Sequence, residues 1–285
     1  MHLAMILITL GLAWVLRLPG VEPAGSWSQR WQRSLFSFLF PPLLLLMTAV
    51  AVLSMGAQGQ MLGLEASWFS YFLALGFAVT SGGFLLQLAY QSWLAKQQVR
   101  TYSQELIQGK MARILEATFP YSAQIGFWQP ELVISRGLLN TLDPTHLEAV
   151  LAHEQAHHDY RDPFWFFWLG WLRSCTFWLP NTEPLWQELL LLREMRADRQ
   201  AAQGVDALVL AESLLAVAQR VTQPPLMNLQ ESFCAAFSCT VPRNRLAERI
   251  DALFTETESP LSYSWWIWSW MLLAFLPLAT VPFHY

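Results

Sequence analysis

Two histidines and a glutamate occupy the spacing of a helical metal site in the stretch His153-Glu154-Gln155-Ala156-His157. On a helix, His153 and His157 lie one turn apart on the same face, where two imidazole nitrogens can bind one Zn²⁺. Glu154 can reach a water molecule held by that ion. Because this five-residue pattern is only moderately specific, the rest of the chain must supply a third ligand and the helices that position all three.

A second acidic pair, Glu194 and Asp198, follows on another predicted helix. A catalytic zinc has three protein ligands and one open position, and Glu194 is the best candidate for the third ligand. Asp198 lies one turn further on, where its carboxylate can accept the second N–H of a ligand histidine. Zinc lowers the pKa of its water toward about 7, and Glu154 would pass the water proton to the leaving amine. The sequence therefore predicts peptide-bond hydrolysis with one Zn²⁺ per chain.

These residues also have an interpretation without a metal. The histidine pair with Glu154 is compatible with a solvated polar helix face, and Glu194 with a surface ion pair to Arg193 or Arg196. We interpret both arginines as solvated neighbours and leave them out of the site.

Two other histidines are excluded as ligands. His146 lies about two turns before His153, and His158 points off the ligand face, so a structural or supporting role is expected for it. The group that stabilises the oxyanion stays open, with Tyr160, Arg243 and Arg245 as guesses.

Capping signals predict the helices that carry these side chains. Asp143 as N-cap and Pro144 at the first helical position begin the histidine helix, and Asp162-Pro163 bounds it. Pro184 begins the helix of Glu194, which runs to about Gln203. The remaining expectations are a helix over Gln97–Glu116, strand character over Ala123–Ser135 with Pro130 at an edge or turn, a helix from Asp206 through Arg220 and a loop over Gln223–Val241.

Composition indicates a membrane protein. Hydrophobic residues make up 54% of the chain and charged residues only 13%, about half of what a soluble domain carries. The 15 tryptophans suit membrane interfaces. A net charge of −4 gives no reason to expect direct nucleic-acid binding. The three cysteines form no disulfide framework or zinc ribbon and are interpreted as small core residues.

Four stretches are long and apolar enough to cross a bilayer of roughly 30 Å, which predicts a mainly α, integral-membrane fold. They are Met1–Leu18, Leu35–Met55, Trp68–Tyr90 and Tyr263–Phe283. The first lacks a basic n-region and is not a convincing cleavable signal peptide.

Basic residues follow the first and third spans, whereas the connection Gly56–Ser67 has none. The positive-inside rule therefore predicts that the region after Tyr90 is cytoplasmic and that both termini lie outside the cell (inner) membrane. The predicted organisation is three spans in 1–90, a cytoplasmic α+β domain in 91–262 and a fourth span in 263–285.

A further apolar stretch, Pro163–Pro180, lies between His157 and Glu194. One complete crossing would put these two side chains on opposite sides of the membrane, where they could not share a metal. We therefore expect this stretch to dip into the membrane, lie along its interface or pack under the domain. A true fifth span without a metal site is the alternative.

The motifs LVISRGLLNTLDPTHLEAVLAHEQAHHDYR, from Leu132 to Arg161, and REMRADRQAA, around Glu194, resemble membrane gluzincins. More closely, they are similar to the BlaR/MecR-type antirepressor metallopeptidases, over roughly residues 68–250. That resemblance implies zinc at His153, His157 and Glu194, a Glu154 base, an Asp198 that supports a ligand histidine, and a cytoplasmic site. It also implies cleavage of a winged-helix repressor or of the enzyme itself.

This sequence departs from the β-lactam-sensing members of that family. They carry an extracellular penicillin-binding domain after the fourth span, and we expect none here, because no S-x-x-K motif stands outside the membrane. The expected partners are a protein substrate and the lipid bilayer, with a homodimer left open. Two alternative functions also stay open: a quality-control or CAAX-type membrane protease, and a non-catalytic scaffold or sensor with a structural metal.

Overall fold

The computed structural model describes residues 1–21, 24–61, 64–220, 245–255 and 269–284. It divides into two compact units. The first unit comprises Met1–Leu86, Trp171–Leu189 and Glu258–Tyr285, and the second comprises Gln87–Gly170 and Leu190–Thr257.

Long apolar helices dominate the first unit. Its elements are α1 (His2–Arg17), α2 (Trp27–Met55), the β1–β2 hairpin (Gln60–Met61 and Leu64–Glu65), the first part of α3 (Trp68–Arg100) and a 3₁₀ helix (Leu272–Phe283). Ser26 begins α2 with a capping box, in which its hydroxyl accepts from the Gln29 amide and the Gln29 side chain accepts from the Ser26 amide. The α2 helix continues through Pro41 and Pro42.

Two of the four predicted spans are helices long and apolar enough to cross a membrane. These are α2, with 29 residues, and α3, with 33. The α1 helix has 16 residues, which makes it about 24 Å long and shorter than a typical crossing. Residues 263–268, which begin the predicted fourth span, lie outside the described residues.

Helix α7 (Thr182–Ala201) begins in polar contact with α1 and α2. The guanidinium of Arg30 donates twice to Glu188 Oε1, at 2.8 and 2.6 Å, and both residues are buried. Arg17, which is fully buried, donates to the Thr182 hydroxyl at 3.0 Å and to the Phe38 carbonyl at 3.1 Å. The Arg30–Glu188 pair compensates two buried charges, and the Arg17 guanidinium bonds to neutral oxygens, so these contacts fix the first turns of α7.

A four-stranded sheet forms one layer of the second unit. Its strands are β3 (Ser103–Ile107), β4 (Lys110–Leu115), β5 (Ser122–Ile125) and β6 (Glu131–Ser135), in the order β3-β4-β6-β5. The β4–β6 pair is parallel, and the β3–β4 and β5–β6 pairs are antiparallel. The strand character predicted over Ala123–Ser135, with a turn at Pro130, is thus confirmed as a hairpin.

The prediction of a helix over Gln97–Glu116 is wrong. Helix α3 ends at Arg100, and the β3–β4 hairpin follows. Its two-residue turn, Gln108-Gly109, has positive φ at both positions, 46° and 81°, as such tight hairpin turns require.

The other predicted helices are confirmed to within a few residues. They are α5 (Pro144–Asp159), α7 and α8 (Ala207–Arg220), accompanied by α4 (Arg136–Thr141), α6 (Asp162–Cys175) and α9 (Leu246–Phe254). Asp143 caps α5 by accepting from the Thr145 and His146 amides, and Asp206 accepts from the Leu208 amide at the start of α8. The loop predicted over Gln223–Val241 lies outside the described residues.

Helix α5 is packed between the sheet and neighbouring helices. Its Leu147, Val150 and Leu151 share a buried cluster with side chains from β4 and β6. On another side, Ala149 packs with Ala201 of α7 and Leu210 of α8. Burial of each large aliphatic side chain contributes roughly 1.5–3 kcal/mol, so this packing fixes the rotation of α5 about its axis. That rotation decides which way His153 and His157 face.

Candidate active site

The three predicted metal ligands converge in the second unit. Nε2 of His153 lies 3.1 Å from Nε2 of His157. The Glu194 carboxylate approaches both, with Oε2 3.4 Å from His153 Nε2 and Oε1 3.6 Å from His157 Nε2. One ligand atom from each residue lies within 4.8 Å of the others, and all three side chains are at most 12% exposed. This group could hold one metal ion.

The other ring nitrogens decide whether a cation fits. His157 Nδ1 is hydrogen-bonded to Asp162 Oδ2 at 2.7 Å, and His153 Nδ1 lies 2.8 Å from Asp198 Oδ1. A carboxylate beside Nδ1 keeps the proton on that nitrogen, so both Nε2 atoms present lone pairs to each other and to Glu194. Three electron-rich atoms at these distances repel one another unless a proton or a metal cation lies among them. Two imidazole nitrogens and one carboxylate oxygen are a donor set that catalytic zinc uses.

The electrostatics favour a positive charge at the same point. Burial by itself would lower the pKa of His153, but the Asp198 and Glu194 carboxylates outweigh it and raise that pKa to about 10. Burial would raise the pKa of Glu194, yet Arg193 and His157 hold it well below its usual range. The ring nitrogens are therefore strongly attractive to a cation.

Arginines surround the carboxylates, and they are not the solvated neighbours that we expected. Arg193 is buried and donates to Glu194 Oε1 at 2.9 and 2.6 Å. The Arg196 guanidinium is hydrogen-bonded to Asp162 Oδ1. The Arg193 side chain is 9% exposed and that of Arg196 18%, because both pair with carboxylates that are themselves buried.

A further arginine, Arg249 on α9, was missed by sequence reasoning. It donates to both oxygens of Asp198, at 2.8 Å each, and its Nη1 lies 3.5 Å from Glu194 Oε2. Four carboxylates, those of Glu154, Asp162, Glu194 and Asp198, thus meet three guanidinium groups. With both imidazoles neutral, as metal ligands are, this leaves one negative charge in excess, which a bound cation would offset.

The predicted base, Glu154, is buried beside the ligands and has a partner that sequence reasoning also missed. The Ser122 hydroxyl donates to Glu154 Oε1 at 2.6 Å. Ser122 begins β5, an edge strand of the sheet, so the contact comes from a distant part of the chain. One oxygen of Glu154 is held by this bond, which fixes the orientation of the carboxylate.

The remaining candidates that the structure describes make contacts with other residues. His146 is bonded to Asp143 and Glu212, the His158 side chain is 49% exposed, and neither belongs to the group of side chains that could hold a metal ion. The Tyr160 hydroxyl donates to Gln200, and Arg245 pairs with Glu248. Arg243 lies outside the described residues.

Asp162 contacts Nδ1 of His157 in the same way that Asp198 contacts Nδ1 of His153. From the sequence, Asp162 was predicted only to mark a helix boundary. Replacing Asp162 with Asn is expected to weaken metal binding about 10–100-fold, because the second contact to a ligand histidine sets its tautomer and basicity. Chelator competition with a zinc indicator measures the affinity. Asp159→Asn is the matched control, because Asp159 is an exposed carboxylate at the end of α5, three residues before Asp162. Equal affinities for the two variants would remove Asp162 from the site.

The geometry fits the class of metallopeptidases, with two histidines on one helix, a neighbouring carboxylate and a third candidate ligand from a second helix. More particularly, residues 110–233 match the family model of peptidase family M48, whose members are typically zinc-dependent proteases. The matched segment is less than half of the chain and includes all three candidate ligands and Glu154. It supports an M48-type metallopeptidase domain. No curated protein and no solved structure matches the chain significantly.

Proposed function

We propose that this protein is an integral-membrane zinc endopeptidase of gluzincin type that acts at the cytoplasmic face of the membrane. Its task would be regulatory proteolysis of a transcriptional repressor, of itself or of both. The convergence of His153, His157 and Glu194 on one point, with Glu154 beside it, is the observation that carries the proposal.

The residues divide the chemical work between them. His153, His157 and Glu194 would hold the zinc, which supplies a Lewis acid for the scissile carbonyl and for the attacking water. Glu154, oriented by Ser122, takes the proton of that water and returns it to the leaving amine. Asp162 and Asp198 keep the imidazole rings turned toward the centre.

The position of β5 supports a peptide substrate. Ser122, at the start of this edge strand, touches the proposed base. An extended peptide that adds to an exposed sheet edge gains main-chain hydrogen bonds, and along β5 its backbone would pass Glu154. Such binding needs no free chain end, so it favours an endopeptidase.

Helix lengths and charges support the membrane placement. The α2 and α3 helices can each cross a bilayer, and basic residues follow α3 along the chain. Helix α6 has 14 residues and is about 21 Å long, which is too short for a separate crossing between His157 and Glu194. An interfacial or re-entrant α6 leaves both side chains on the cytoplasmic side.

The regulatory role rests on the resemblance to the BlaR/MecR-type antirepressors. Its motifs around His153 and Glu194 are the ones whose side chains meet in the structure. A winged-helix repressor is therefore the proposed substrate. Cleavage of misfolded membrane proteins or lipidated peptides, without any cut in a repressor, would contradict this part of the proposal.

Metal analysis of the purified full chain tests the centre itself. We expect about one zinc per wild-type chain and nearly none in His153→Ala and Glu194→Ala, because each removes one of three ligands. His158→Ala, which alters an exposed histidine one residue from His157, should keep its zinc. Retention of zinc in both ligand variants would overturn the site.

A further inference from the structure

A cavity of about 530 Å³ lies in the second unit, where the end of α3, the sheet and the outer side of α5 meet. Its charged lining is almost entirely basic. Lys96 and Arg100 come from α3 and Lys110 and Arg113 from β4, whereas Glu131 of β6 is the one carboxylate among the lining residues. The cavity is separate from the candidate metal centre, none of whose ligands line it.

Three of these positive charges form no salt bridge within the described part of the chain, although the more distant Asp159 carboxylate acts on Lys110. Arg113 is used structurally, since it donates to Glu131 at 2.7 Å and to the Tyr102 carbonyl. For Lys96, Arg100 and Lys110, no described carboxylate lies within salt-bridge distance, and Lys110 donates only to the Leu151 carbonyl, at 3.1 Å. The cavity therefore holds an excess of positive charge that an anion would offset.

Gln124 gives a second, independent sign of a missing ligand. Its side chain lines the cavity, the residue is 7% exposed, and its Oε1 has no hydrogen-bond partner among the described residues. Buried polar groups are nearly always paired, so something else completes this amide. Rotation of the amide exchanges its oxygen and nitrogen, and the NH₂ group would then donate to an anion in the cavity.

The sequence of side chains along α3 indicates where this cavity lies. Its apolar residues are largely exposed as far as Tyr90 and Trp93, whose rings stack 6.1 Å apart and are 59% and 55% exposed. Lys96 follows about one turn later and Arg100 one turn after that. A helix that leaves the cytoplasmic leaflet shows this order of side chains: apolar surface first, interfacial aromatic residues next and basic residues last. In the membrane placement proposed above, the cavity therefore lies at the depth of the lipid headgroups.

We propose that this cavity binds the phosphate headgroup of an anionic membrane phospholipid. Lys96 and Arg100 would meet the headgroup first, and Lys110 and Gln124 would bind its oxygens deeper in the cavity. Gln155 and His158 of α5 also line the cavity, so a bound headgroup would touch the helix that carries His153 and His157 on its other side. The proposal rests on the membrane placement in the proposed function and is independent of metal binding and proteolysis.

Native mass spectrometry of the detergent-purified full chain tests the site. Phosphatidylglycerol and phosphatidylcholine with identical acyl chains are titrated separately. We expect the wild type to prefer phosphatidylglycerol at least about 10-fold, and Lys96→Gln/Arg100→Gln to lose most of that preference. Arg161→Gln/Arg199→Gln removes two charges outside the cavity and should keep the preference. Thermal unfolding without lipid shows which variants are folded, and Lys110→Gln replaces the double variant if that one is not.

The possible results distinguish a lipid headgroup from a soluble anion, and they test the lipid site separately from the proposed peptidase activity. An unchanged preference in Lys96→Gln/Arg100→Gln, or an equal loss in the control, would overturn the site. Inorganic phosphate that displaces the lipid at equal concentration would show that the cavity takes a soluble anion, which contradicts a lipid site. Because zinc content is measured on the same samples, loss of lipid selectivity with one zinc per chain leaves the peptidase proposal standing.

Discussion

Glu154→Gln is expected to reduce peptide-bond cleavage by about 10²–10⁴-fold while the zinc content stays at one ion per chain. The amide has the shape of the carboxylate but cannot take a proton from water. The Ser122 hydroxyl can still donate to the amide oxygen, so the side chain should keep its place. Cleavage of a co-expressed substrate protein, with zinc analysis of the same purified enzyme, measures both quantities.

Glu148→Gln provides the matched control, because Glu148 lies on α5 and is exposed. The control should cleave at the wild-type rate. If Glu154→Gln retained full activity in cells beside this control, the base assignment would be wrong. A scaffold or sensor with a structural metal would then be the better interpretation.

Arg249→Met is expected to destabilise the protein by about 3–5 kcal/mol, because it breaks a buried ion pair. The Arg249 side chain is 11% exposed and that of Asp198 only 1%, so the substitution leaves a buried carboxylate without both hydrogen bonds from its guanidinium partner. For a chain of this size the midpoint of thermal unfolding should fall by roughly 6–20 °C. Unfolding of the full chain in mild detergent, followed by tryptophan fluorescence, gives that midpoint.

Arg245→Met is the comparison. Arg245 lies just before α9 and pairs with Glu248 within that helix, whose side chain is more exposed than that of Asp198. A pair of that kind contributes about 0–1 kcal/mol, and its loss should shift the midpoint little. In Arg249→Met/Asp198→Leu no buried charge is left unpaired, so we expect part of the lost stability to return without any return of zinc affinity. Equal unfolding midpoints for the two single variants would show that the Arg249–Asp198 pair contributes no more stability than the Arg245–Glu248 pair.

Local signals predicted the helices well because the residues that decide them are neighbours in sequence. Asp143 and Pro144 begin α5, and Asp206 begins α8, through hydrogen bonds that span two or three residues. The β3–β4 hairpin was missed for the opposite reason. Its segment contains good helix formers, and only the Gln108-Gly109 turn and pairing across the sheet decide in favour of strands.

The same distinction applies to the site. The spacing of His153, Glu154 and His157 is a property of one helix, so the sequence could predict it. Ser122 and Arg249 reach the centre from a strand and a helix far away along the chain, and no spacing rule connects them to it. Arg193 and Arg196 looked solvated because one sequence does not reveal which side of α7 is packed.

The anchoring of α7 has a practical consequence for attempts to simplify this protein. A shortened version that begins after Tyr90 would keep Glu194, yet the same helix would lose the two hydrogen bonds from Arg30 to Glu188 and the one from Arg17 to Thr182. In such a fragment the first turns of α7 would lack the contacts that hold them, and the helix that carries Glu194 would be less firmly positioned. Biochemical work should therefore begin from the intact polypeptide in detergent or lipid.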